Sequence, residues 1–343
     1  MGVHGLSGAP QGLRAWDPER YGELSIASDD DSFDIFTQAA RVVGPERDRT
    51  TDVLGGLEVE RVVAMGSSQS AGRLATYVNG IQPFAGAIDG FLLLIYFGSG
   101  TPLEVGDAVV NIVNPTEPFD ARAALLGSNR IRDDLDVPVM VVNSELEAIA
   151  CYAVRQPNSD RFCYWEAAGT CHVSRQAMNL RAPKYERDFG APLPMPSSVN
   201  EISMIPLYDA GLHHLQQWLT NGTAPPAPPL IEFSGDPPHV VRDEHGIARG
   251  GIRLPQADVP LAQNSAIPVA DDILSVLYGS SVAFPAAKVR QLYGDQATFL
   301  ARFEEAARAA EKMGVLLPRD VSALVDEARA SYHDAAATPT AVE

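Results

Sequence analysis

A serine hydroxyl is a weak nucleophile near neutral pH, so a chain that uses one must expose it and set a base beside it. The segment Arg61-Val-Val-Ala-Met-Gly-Ser-Ser-Gln-Ser-Ala-Gly-Arg73 meets the first requirement. It reads as a buried strand, a turn of small residues and a helix start. Gly66, Ser68 and Ser70 occupy the three fixed positions of a small-x-Ser-x-small turn, whose strain lifts the central serine above a sheet. Ser68 is the candidate nucleophile. Ser70 stands where a second glycine is usual. Small residues after an apolar strand also build phosphate-binding loops and plain connections, so this turn needs partners before it means chemistry.

One partner is an acid. In Asp136-Val-Pro-Val-Met-Val-Val-Asn-Ser-Glu-Leu-Glu147, Val137 to Val142 has the β-branched composition of a buried parallel strand. Glu145 and Glu147 follow its end, where open α/β sheets place functional groups. A carboxylate there can accept a hydrogen bond from a histidine ring, fix its tautomer and stabilise the imidazolium. The bland reading is two solvated loop glutamates.

The other partner is a base. In Arg161-Phe-Cys-Tyr-Trp-Glu-Ala-Ala-Gly-Thr-Cys-His172, Phe162 to Glu166 reads as a strand, and a small-residue loop then delivers His172. Ser68 and His172 are 104 positions apart, which leaves room for strand and helix units between them. The order serine, acid, histidine distinguishes one class of serine hydrolase from the others. Cys171, beside His172, is a rival nucleophile, but adjacent side chains generally point apart. The amide of Gln69, just after the nucleophile, is the expected oxyanion donor.

These groups need a scaffold to meet. The chain after Gly66 continues as a helix to about Gly80, with Leu74, Tyr77 and Val78 at helical spacing. Its N-terminal dipole would point at the reaction site. Phe91 to Phe97 is an unbroken apolar run, the pattern of a central strand. Upstream, Tyr21 to Ile26 is a strand candidate and Ser32 to Val43 a helix candidate. Asn111, Asn114 and Asp120 lie in a loop-rich stretch; they suit either a pocket lining or, better, turns. Met204 to Leu219 reads as an amphipathic helix stopped by Asn221-Gly222.

Thr223 to Leu230 is a stiff proline-rich linker. The expected organisation is a catalytic core over 1–222, the linker over 223–230, and an extension over 231–343. That extension begins with a hairpin turning at Asp243 to Gly246. From Phe284 to about Tyr332 it is helical, with Phe299, Phe303, Ala306, Ala307 and Ala310 on one face. His213 and His214 are paired on a helix but lack an acid or cysteine at ligand spacing, so no metal site is expected there. His239, Asp243, Glu244 and His245 are explained by a polar turn. Asn221-Gly-Thr223 matches the glycosylation pattern, which has meaning only on a secretory route.

The whole chain has 343 residues, 45% hydrophobic and 20% charged, the composition of a globular protein. With 26 basic against 44 acidic residues its net charge is −18, which argues against nucleic acid or anionic membrane as a partner. No apolar run reaches the ~18 residues of a spanning helix, and no signal peptide is visible. Three cysteines, Cys151, Cys163 and Cys171, fit reduced thiols and a cytoplasmic setting better than a disulfide framework.

Taken together, the sequence resembles the bacterial family of α/β hydrolase domain-containing proteins, an esterase-like group. The likeness runs along almost the whole chain. It includes Leu13 to Gly22, Phe33 to Ala40, Gly66 to Ala71, Trp165 to His172, Gly250 to Pro260 and Leu277 to Ser280. The resemblance implies an α/β-hydrolase fold, a mostly parallel sheet with flanking helices, with Ser68 as nucleophile and His172 as base. Where the family has Thr-Glu-Thr-Asp, this chain has Ser144-Glu-Leu-Glu147, so the resemblance favours Glu147 over Glu145 as the acid. Family members carry a further segment ahead of the position of Met1. The 60 residues before Arg61 hold about one strand and one helix, at about 5–6 residues per strand. The expectation is therefore a fold missing its first strands, and with them an oxyanion-hole loop.

The expected activity is cleavage of a small-molecule carboxylic ester, lactone or thioester, with no cofactor. An acyltransferase with the same triad is one rival. The other is a weak or inactive binding protein of the same fold. Self-association through exposed sheet edges is a further expectation.

Overall fold

The computed structural model describes residues 12–26, 28–50, 53–103, 127–196, 198–268 and 275–337. Asn111, Asn114 and Asp120 lie outside them. At the centre are four parallel strands in the order β1-β2-β3-β4. They are β1 (Val63–Ser67), β2 (Gly90–Leu94), β3 (Val139–Ser144) and β4 (Phe162–Ala167). Ser67 pairs with Leu94, Leu94 with Val142, and Ser144 with Ala167. Because the strands are parallel and in register, their C-terminal ends form one rim.

Every residue of β2, β3 and β4 is buried, as a sheet covered on both faces requires. Side-chain alternation divides the strands between two cores. Leu92, Leu94, Met140, Val142, Cys163 and Trp165 face one. Phe91, Leu93, Val139, Val141, Phe162 and Tyr164 face the other.

Helix α1 (Ser32–Val43) and helix α2 (Gln69–Gly80) cover the second face, through Phe33 and Ala40 and through Leu74, Ala75, Tyr77 and Val78. After β3 comes the short helix α3 (Glu145–Ala150), and after β4 comes α4 (Arg175–Phe189). Helix α5 (Ile205–Asn221) covers the first face with Leu207, Ala210 and Leu215. It stops at Gly222, whose φ of 75° is the left-handed helix end that glycine adopts without strain.

The later segment joins the same first-face core. It contains two short antiparallel pairs, β5 (Phe233–Ser234) with β6 (His239–Val240) and β7 (Ala262–Ser265) with β8 (Ser280–Ala283). It ends in α6 (Ala286–Tyr293), α7 (Gln296–Met313) and α8 (Pro318–Ala337). Phe299, Phe303, Leu324 and Tyr332 share the core with Leu92 and Trp165. Polar ties accompany the packing. The Trp165 indole donates to Pro226 O at 2.8 Å, and the Ile231 amide donates to the buried Glu166 at 3.0 Å. Arg155 pairs with Glu166.

Several expected elements are corrected. Tyr21 to Ile26 is not a strand: Asp17 caps a single turn over Pro18–Tyr21 by accepting from the Arg20 amide, and irregular chain follows. Strand β3 starts two residues later than expected and runs into the serine before the acids. Strand β2 ends at Leu94 because Ile95 takes φ 44°, a strained value for a β-branched residue. The turn at Asp243 to Gly246 forms with its arms paired: Arg242 bridges Ala248, the Asp243 amide donates to Ile247 O at 2.9 Å and the Arg249 amide to Val241 O at 2.8 Å. Ile252 bridges to Ala167 and Gly250 to Ile231, so the returning arm extends the central sheet. The C-terminal helical stretch is three helices, broken at Gly294 and after Gly314.

Candidate active site

Ser68 separates β1 from α2 with φ 60° and ψ −126°. Such a conformation costs a non-glycine residue ~1–3 kcal/mol and persists only where its surroundings over-determine it. Here the Ser68 amide donates to Leu94 O at 3.0 Å, and its carbonyl accepts from the Ala71 and Gly72 amides at 2.9 and 3.2 Å. The turn is tight on one side. A Cβ at Gly66 would stand 2.6 Å from Ser70 O and 2.8 Å from Ser70 C, which only glycine avoids. The side chain of Ser70 is exposed. That explains why the second small position tolerates serine.

His172 brings the three expected groups together. Its Nε2 lies 2.9 Å from Ser68 Oγ, and its Nδ1 lies 2.7 Å from Glu147 Oε1. A carboxylate oxygen accepts, so Nδ1 carries the proton and Nε2 is left to accept from the serine hydroxyl. The ring is nearly covered; it stacks on Phe97 with centroids 5.0 Å apart.

Glu147 is fully buried and is the third residue of α3. Its second oxygen accepts from the Ser144 amide at 3.2 Å and from the Ser144 hydroxyl. Ser144 in turn accepts from the Leu146 amide at 3.2 Å, completing a capping box. One side chain thus ends a strand, starts a helix and orients the acid. The extra methylene of glutamate is accommodated because the chain curls back over the helix start to meet the ring.

Glu145 goes elsewhere. It is equally buried, but its oxygens meet the Gly169 amide at 2.8 Å and Arg242 Nη2 at 2.7 Å. The alternative of two solvated loop glutamates does not hold, since both are fully buried. Gln69 opens α2 directly beyond Ser68, so its amide belongs to the positive end of that 12-residue helix.

The loop bearing His172 is held at nearly every residue. The Ala168 amide donates to Ile252 O at 2.9 Å, and the Val173 amide to Leu277 O at 2.9 Å. Asn200, fully buried, donates to Gly169 O at 2.8 Å. Cys171 points away from the serine, with its thiol toward Leu277 O at 3.2 Å. Burial, and then the charge of Glu147, push that thiol well above the ordinary range, which disfavours the thiolate a nucleophile needs.

The remaining polar clusters have local partners. His214 Nε2 lies 2.6 Å from Gly314 O. Asp243 accepts from the His245 and Ile247 amides and pairs with Arg253. Among the described residues, no group of three or more His, Cys, Asp or Glu is placed to hold a metal. No helix among them is long and apolar enough to cross a membrane.

Four residues of the site were not singled out from sequence: Ser144, Phe97, Asn200 and Arg242. The Ser144-x-x-Glu147 spacing is a legible capping signal. Arg242 meets Glu145 across 97 positions, and nothing local announces that.

A parallel sheet flanked by helices, carrying a strained serine turn, a carboxylate and a histidine in that order along its C-terminal rim, is the architecture of the α/β hydrolases. A family model described as alpha/beta hydrolase domain matches residues 1–326, and the chain belongs to that family. No curated protein and no solved structure matches it.

Proposed function

We propose that this protein is a serine hydrolase that cleaves a carboxylic ester, a class taken to include lactones and thioesters. One observation carries the reading: a single imidazole lies 2.9 Å from Ser68 Oγ through Nε2 and 2.7 Å from Glu147 Oε1 through Nδ1. Ser68 Oγ attacks the carbonyl carbon while His172 Nε2 takes the hydroxyl proton. Glu147 holds the tautomer and stabilises the imidazolium. Electron density moves to the carbonyl oxygen, where the Gln69 amide donates; one such donor typically contributes ~10²–10³ in rate. Collapse of the adduct breaks the ester bond, and the imidazolium protonates the departing alkoxide. Water, deprotonated by the same nitrogen, then releases the acid from Ser68.

The test is labelling with a fluorophosphonate together with turnover of p-nitrophenyl esters of graded chain length. Expected are labelling and turnover that both vanish in Ser68→Ala. Folded protein that neither labels nor turns over any ester of the panel defeats the proposal.

A further inference from the structure

We propose that Glu145, held by Arg242, is a positioning residue that fixes the backbone of the loop carrying His172. By this route the segment beyond the proline-rich stretch helps align the base. The inference rests on the reading of Ser68 and His172 given above.

Glu145 is the first residue of α3 and is fully buried. Its Oε2 accepts from the amide of Gly169, three residues before His172, at 2.8 Å. Its Oε1 accepts from Arg242 Nη2 at 2.7 Å and from the Ala266 amide at 3.5 Å. The arginine is itself held, because its Nη1 donates to Gly246 O at 3.0 Å. A buried carboxylate is costly without a charge partner and further donors, and Glu145 has Arg242 and two backbone amides.

The kind of acceptor matters to the loop. A hydrogen bond from an amide to a carboxylate is about twice as strong as one to a neutral acceptor. Gly169 has φ 71° and so sits at the bend of the loop. The carbonyl of the same residue, in the next peptide, accepts from Asn200. Glu145 also stands two positions from Glu147, so one helix start holds both the imidazole and the backbone that delivers it. Loosening the Gly169 anchor moves Nε2 relative to Ser68 Oγ, and a misplacement of ~1 Å costs about 10²-fold in rate.

The test uses Glu145→Ala, Glu145→Gln and the double variant Glu145→Gln/Arg242→Met, which removes charge from both sides. Each is checked for folding by thermal unfolding, then measured for kcat, KM, fluorophosphonate labelling rate and hydrogen exchange of the peptide covering 167–172. Expected for Glu145→Ala is kcat about 10²-fold down with KM within about twofold, slower labelling in proportion, and faster exchange confined to that peptide. Glu145→Gln keeps an acceptor for Gly169 and should lose only about 10-fold. If Glu145→Ala does not fold, the charge-balanced double variant takes its place and should behave like Glu145→Gln. Folded variants with wild-type kcat, labelling and exchange overturn the proposal. Hydrogen exchange separates the two readings. If Ser68→Ala keeps its activity, the assignment of the nucleophile fails, whereas the loop anchor stands or falls on the 167–172 peptide.

Discussion

Glu145 and Glu147 stand two positions apart at the start of one helix, yet Glu147 reaches His172 Nδ1 at 2.7 Å and Glu145 reaches the Gly169 amide at 2.8 Å. At 3.6 residues per turn, such neighbours project about 200° apart, so one carboxylate faces the ring and the other the loop beneath it. Substituting Glu147 by glutamine keeps the shape but removes the charge, and its amide can present a donor to Nδ1. We expect kcat to fall about 10³-fold or more, by analogy with the loss of about 10⁴ when a triad aspartate becomes asparagine. Glu145→Gln should fall far less. Equal, small losses in the two kcat values would remove the acid from Glu147.

The positive φ of Ser68 makes a stability prediction of opposite sign to its activity. Glycine adopts this conformation freely, so Ser68→Gly should abolish turnover and raise stability by ~1 kcal/mol or more. Urea unfolding of the two proteins measures the difference. A destabilised Ser68→Gly would mean that the turn stores no strain.

Asn143 offers a test of what holds the rim beside the site. It is fully buried; its oxygen accepts from the Tyr96 amide at 2.8 Å, and its Nδ2 donates to Tyr96 O at 2.9 Å. Both groups follow the strained Ile95. Asn143→Ala leaves the Tyr96 amide buried without its partner, at ~1–3 kcal/mol, while Tyr96 O keeps the weaker Cys151 thiol donor at 3.1 Å. The expected loss is ~1–3 kcal/mol in unfolding free energy, and a loss under about 0.5 kcal/mol would show that water replaces the side chain.

His214 predicts a pH dependence away from Ser68 and His172. Burial, the largest cause, holds its pKa below the ordinary 6.5, against the opposing bond to Gly314 O. The unfolded chain therefore binds this proton more readily than the folded one. Its contribution to stability is full above pH 6.5 and is lost as pH falls through the lower, folded value. His214→Gln can still donate to Gly314 O but does not titrate. Melting temperatures taken at about pH 7.5 and about pH 5 should differ less in the variant than in the wild type. Identical pH dependence in both proteins would exclude His214 as the source.

Much of this arrangement was legible in one dimension. Buried parallel strands need unbroken apolar runs, so β2, β3 and β4 stood out, as did the Gly66 to Ser70 turn. The helix over Ser32–Val43 and the stop at Gly222 were readable from local periodicity and capping. One strand was misread for a local reason. Tyr21 to Ile26 looks β-prone, but the Asp17-Pro18 cap commits the chain to a helical turn. The arms around Asp243 to Gly246 do pair at Arg242 and Ala248, and only beyond that pairing does Ile252 turn to bridge Ala167 at the end of β4.

From its order alone the chain determined which residue types follow which strand ends, because burial patterns and turn chemistry act over a few neighbouring residues. Tertiary structure decided which glutamate meets the imidazole, that Cys171 is sealed away from the serine, and that Arg242 reaches Glu145 across 97 positions. Hydrogen-bond reach is a few ångströms in space, and only the folded chain brings such distant side chains within it.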